Sequence, residues 1–87
     1  MRRILTFDVD ASPYEVAQEA VPSLKNVPGV KSVEVLSSAS GGHPGFCILL
    51  ETEDDLDAQV AAHVDRNMKN YADYLSNVTH RAYKKIG

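Results

Sequence analysis

The run Phe46-Cys47-Ile48-Leu49-Leu50 does most to confine the fold of this chain. It is the longest apolar run present, yet far below the ~20 residues that a membrane-crossing helix needs. Read as a strand, Phe46 to Thr52 turns Phe46, Ile48 and Leu50 to one face and Cys47 and Leu49 to the other, so both of its sides are apolar. Other segments have the same two-residue period. Arg3 to Val9 puts Leu5, Phe7 and Val9 together, with Ile4, Thr6 and Asp8 opposite. Val30 to Leu36 sets Val33 and Val35 against Ser32, Glu34 and Leu36. Val78 to Ile86 suits either period, and the alternation through Thr79 and Tyr83 selects a strand.

Two helical patterns lie between these strands. Ser12-Pro13-Tyr14-Glu15 has a capping serine, a proline at the first helical position and a glutamate where a capping box requires one. Val16, Ala17, Ala20, Val21 and Leu24 then form one apolar stripe. Pro22 cannot donate to the carbonyl of Gln18, so a kink or a restart is expected there. Glu53-Asp54-Asp55 opens the second pattern with charge suited to a helix N-terminus. Its stripe of Leu56, Val60, Val64, Met68, Tyr71 and Leu75 predicts a helix running to about Leu75. Asn26-Val27-Pro28-Gly29 reads as a type II turn, and Ser37 to Gly45 as a mobile hairpin connection rich in small residues.

The order strand, helix, strand, strand, helix, strand predicts a single α+β domain over residues 1–87. This is the ferredoxin-like βαββαβ sandwich, a four-stranded antiparallel sheet with two helices on one face. Its other face should be polar if it meets water, but Ile4, Thr6, Leu36, Cys47 and Leu49 fall there beside Asp8, Glu34 and Glu51. Such a patch reads as a contact surface. The simplest occupant is a second copy, pairing sheet to sheet about a two-fold axis as a homodimer.

The element order, the Pro28-Gly29-Val30 turn, the apolar third strand after a Gly-rich hairpin and the acidic opening of the second helix resemble the dimeric α/β-barrel group. That group includes the stress-responsive A/B-barrel domains. The resemblance implies a homodimer with a cavity between sheets, and for some members cofactor-free monooxygenase, isomerase or cyclase activity. It transfers no catalytic residue to this chain. A heavy-metal chaperone would resemble Gly29 to Val35, but Asp10-Ala11-Ser12-Pro13 stands where its Cys-x-x-Cys loop would be. Gly45-Phe46-Cys47-Ile48 is similar to the start of an RNA-recognition motif, but Ile48 and Leu50 stand where further aromatics or their neighbours are needed. ACT-like sensing modules and peptide-binding chaperones share the topology and stay open as alternatives.

Nine basic against twelve acidic residues leave a formal charge of −3, which argues against nucleic acid and anionic membranes as partners. The single cysteine, Cys47, permits no internal disulfide, and a reducing, cytoplasmic setting is expected. Its apolar neighbours suit a buried structural thiol better than a nucleophile. His43, in the Gly-rich connection, could carry a proton, although loop histidines are commonly just exposed. His63, Asn67, Asn70 and Tyr74 line one flank of the second helix. Asn67 falls nearly within the apolar stripe, where an amide needs partners in a polar pocket or an interface. His80 could meet Glu51 or Asp8 if strand register places them on one face, and register is not legible from sequence.

The three histidines lack metal-ligand spacing, so no metal is expected, and no motif calls for a cofactor. His43, His63, Asn67, Tyr74 and His80 are therefore the ligand-site candidates. The predicted function is a small homodimeric binding or accessory module without catalysis. The alternative is a cofactor-independent enzyme of the dimeric-barrel kind acting on a small apolar or aromatic molecule.

Overall fold

Alternation along the strands builds the sheet as the sequence predicts. The computed structural model describes residues 1–87, in the order β1 (Arg2–Asp8), α1 (Pro13–Lys25), β2 (Val30–Ser37), β3 (Phe46–Thr52), a 3-10 turn (Asp54–Leu56), α2 (Asp57–Lys69) and β4 (Ser76–Tyr83). The strands lie in the order β2-β3-β1-β4, and every neighbouring pair is antiparallel. Leu5 and Phe7 of β1 share a face with Ile48 and Leu50 of β3. Val16 and Leu24 of α1 and Val60 and Val64 of α2 close over them as one core cluster. Each of these large side chains contributes about 1.5–3 kcal/mol of gross burial energy.

Helix α1 starts where the capping box places it. Ser12 Oγ accepts from the Glu15 amide at 3.2 Å, and the Glu15 carboxylate accepts from the Ser12 amide at 3.3 Å. The helix continues through Pro22 as one element, so the restart, one of the two outcomes expected there, does not occur. Pro22 and Gln18 are both exposed, so water can serve the carbonyl that the proline leaves without a donor. Gly29 takes φ +91° in the turn into β2, as a glycine there should.

The second helix is shorter than its stripe predicts. It ends at Lys69, and residues 70–74 form tight turns in which the amides of Tyr71, Ala72 and Tyr74 reach back three residues. The chain has to rejoin the sheet here, because Ser76 pairs opposite Asp8 and Asn77 takes φ +53°. Tertiary pairing thus overrides helical periodicity. Tyr71 and Leu75 still turn inward from the turn and stay half-buried.

Strand β4 confirms the strand reading of the C-terminal segment, shifted toward the N-terminus. It ends at Tyr83, and Ile86 is fully exposed. No helix is long and apolar enough to cross a membrane.

Candidate functional site

Shortening α2 opens a groove. The two helices meet only lightly, and a space of about 270 Å³ lies between α1 and the turn that follows α2. Phe7 and Ile48 of the sheet belong to its lining, with Val16 and Ala20 from α1 and Met68, Tyr71 and Leu75 from the α2 side. Phe7 is held in place by stacking on Phe46, with ring centroids 5.7 Å apart. The volume lies close to the lower end of the usual small-molecule range.

Two of the candidates predicted from sequence, Asn67 and Tyr74, come together at this groove. Asn67 Nδ2 donates to Ser23 Oγ at 2.6 Å, so the amide within the apolar stripe is satisfied by a hydrogen bond that ties α2 to α1. Tyr74 is largely exposed at the groove. None of the three histidines lines it. The groove itself is not foretold by the sequence, although Ala11 and Ala20 were a usable signal. Small residues facing a gap between helix and sheet leave space that larger ones would fill.

His80 takes neither of the partners expected for it. Register places it opposite Leu5 on the helix-covered face, whereas Asp8 and Glu51 belong to the other face. Its Nδ1 lies 2.7 Å from Asp65 Oδ1, and its Nε2 lies 3.0 Å from Nη1 of Arg3. A guanidinium only donates, so Nε2 accepts and the imidazole proton sits on Nδ1, directed at Asp65. Arg3 is itself buried, bonds the Asp57 carboxylate, and donates to the Asp57 carbonyl at 3.3 Å. Its Nε is buried without a partner. The chain Asp65–His80–Arg3–Asp57 therefore fastens α2 to β1 and β4. Arg3 was readable as the next residue on the Leu5 and Phe7 face, but its charge hid it.

His43, and not His80, is the imidazole that meets Asp8. Its Nδ1 lies 3.0 Å from Asp8 Oδ1, which also accepts from the Gly45 amide at 2.6 Å, while Asp8 Oδ2 accepts from Asn77 Nδ2 at 2.7 Å. The bond from His43, with those from Asn77 and Gly45, holds the Asp8 carboxyl down to about 2. The carboxylate in turn raises the His43 pKa above its ordinary value. The His43 side chain remains mostly in water, with Nε2 free. His63 is half-buried on α2 away from the groove lining and makes no side-chain hydrogen bond.

On the open face of the sheet, register sets out three rows across β2, β3, β1 and β4. The first is Leu36, Cys47, Thr6 and Thr79. The second is Glu34, Leu49, Ile4 and Arg81. The third is Ser32, Glu51, Arg2 and Tyr83. The two threonine hydroxyls bond each other, and Arg2 lies 3.4 Å from Glu51. Ile4, Thr6, Cys47 and Leu49 are half-buried and Leu36 is exposed, so the apolar patch expected there is present. Burial raises the Cys47 thiol pKa, which keeps it protonated and unreactive. No three His, Cys, Asp or Glu side chains converge as a metal site would require.

No family model matches the sequence, and no curated protein matches it either. Among solved structures, the chain is similar to a dabb family protein with a ferredoxin-like fold from Mesorhizobium loti. The TM-score is 0.73 at 14% identity, with 99% of this chain and 96% of that one covered. The fold is thus ferredoxin-like, and the chain resembles a stress-responsive A/B-barrel protein along nearly its whole length.

Proposed function

We propose that the chain acts as a single-domain, homodimeric binding module, with its ligand in the groove and its twin on the open face of the sheet. The groove carries this reading. It is apolar and aromatic, and it is walled by both helices and the sheet. Its chemistry is that of holding a small molecule.

The assembly rests on the open face. Stacked sheets align their strands within about 30°. A two-fold axis running along the strands between β3 and β1 lays β2 over the other copy's β4. Glu34 then faces Arg81 of the partner subunit, and Leu49 faces Ile4 of the partner subunit. Opposite charges meet at both edges of a row whose centre is apolar. An axis across the strands would instead set like charges together.

Titration with indole, followed by methyl NMR, tests the site. The reading requires shifts at Val16, Ala20 and Met68 with Ile4 and Leu49 unmoved. Shifts confined to Ile4 and Leu49 would put the ligand between the sheets. That outcome would favour the second reading, a cofactor-free enzyme of the dimeric-barrel kind. The His43–Asp8 pair supports it, because Asp8 shares the open face with Thr6 and His43 Nε2 is free to take a proton.

A further inference from the structure

The polar side chains at the edge of the groove are committed elsewhere or stand in water. The Asn67 amide donates to Ser23 Oγ, the Glu15 carboxylate closes the cap of α1, and Asp10 and Glu19 are exposed. What the groove presents inward is almost wholly carbon and one sulfur: Phe7, Ile48, Val16 and Leu75, with the Met68 thioether and the ring of Tyr71. A charge or a hydrogen-bonding group carried to that wall would lose water and gain no partner. Size narrows the occupant further. An apolar cavity of about 150 Å³ lined by leucine, isoleucine and phenylalanine stays dry and takes up benzene. The groove, at about 270 Å³, is nearly twice as large, room for two fused rings. Its ring edges and its thioether suit an aromatic ligand.

From wall and volume together we infer that the groove takes an uncharged aromatic of two fused rings, held by its carbon surface with neither an ion pair nor a hydrogen bond. The inference rests on the groove being the binding site and names the chemical class it takes. A second fused ring adds four carbons to benzene. A fully buried carbon is worth about fourfold in affinity, and at a groove open along one side about twofold, so the four together give about tenfold. A polar atom pressed on the apolar wall takes back about tenfold. A single polar group, such as the N–H of indole, escapes that loss by facing the open side. Two at opposite ends of a ligand cannot both do so.

The test is a series of flat, neutral rings: benzene, naphthalene and 1,5-naphthyridine, each titrated into the full chain and read from the Val16, Ala20 and Met68 methyls. The naphthyridine keeps the outline of naphthalene and sets a nitrogen at each end. Naphthalene should bind about tenfold more tightly than benzene and about tenfold more tightly than the naphthyridine. That order should survive added salt, which screens charges and not apolar contact, and should survive Asp10→Asn with Glu19→Gln. Met68→Gln keeps the length of the side chain but sets an amide in the wall, so it should narrow the lead of naphthalene over the naphthyridine, read at Val16 and Ala20. If benzene or the naphthyridine binds as tightly as naphthalene in the unaltered protein, the class inference falls and the groove reading stands. If none of the three moves those methyls, both fall.

Discussion

Replacing Ala20 with leucine tests whether the groove is a true vacancy in the packing. Ala20 lines it from α1, so three added carbons would project into it. Full burial of three carbons is worth about 2.4 kcal/mol. The groove is open along one side, so roughly half of that, about 1.2 kcal/mol, is realised. Freezing the leucine side chain takes back about 0.5–1 kcal/mol. The expected change is therefore a gain of about 0.2–0.7 kcal/mol, seen as a slightly higher urea midpoint with an unchanged slope. The same substitution should abolish the indole shifts at Val16 and Met68. In a closed, well-packed site the added bulk would cost about 1–3 kcal/mol. A loss of that size, or indole binding that persists unchanged, would mean that no such vacancy lies beside Ala20.

Three further outcomes follow from other parts of the molecule. Gly29→Ala places a methyl 2.6 Å from Val60 Cγ2 at φ +91°; strain and crowding together should cost about 2–4 kcal/mol, part of it recovered in a double variant with Val60→Ala, as urea denaturation would show. The His43–Asp8 tether should be tightest where both groups are charged, between about pH 4 and about pH 6.5. It should loosen as acid protonates Asp8 on the way down to about 2, and again as rising pH passes the raised His43 pKa. Hydrogen exchange at the Gly45 amide would follow both limbs, and Asp8→Asn should return the His43 NMR titration toward its ordinary midpoint. Leu49→Asp should weaken self-association while circular dichroism keeps the native secondary structure; an unaltered dimer in sedimentation would place the interface elsewhere.

Legibility in the sequence followed the range of the forces involved. The capping box, the Pro28-Gly29 turn and the two-residue alternation are local, and each appears in the structure where the residues predict it. The end of α2 is not local, because the stripe through Tyr71 and Leu75 is genuine but pairing of β4 with β1 claims the chain first. The groove follows from that early end, so it was hidden for the same reason. Asn67 and Tyr74 could be flagged from spacing alone, whereas Phe7 and Met68 become groove walls only once two helices and a sheet stand around them. His80 shows the limit most plainly. The sequence offered Glu51 or Asp8 as its carboxylate, but register chose Asp65 and added Arg3.

In the homodimer we propose, a second copy completes the open face of the sheet with its strands aligned. Sedimentation equilibrium of the unaltered chain beside Glu34→Arg, Arg81→Glu and the double exchange tests this most directly. Glu34 and Arg81 end the same row at opposite edges of the sheet, so either single reversal sets like charges together twice per dimer and should weaken association by about tenfold. The double exchange should restore it. A monomer at high concentration, or single reversals that leave the dimer constant unmoved, would contradict the account.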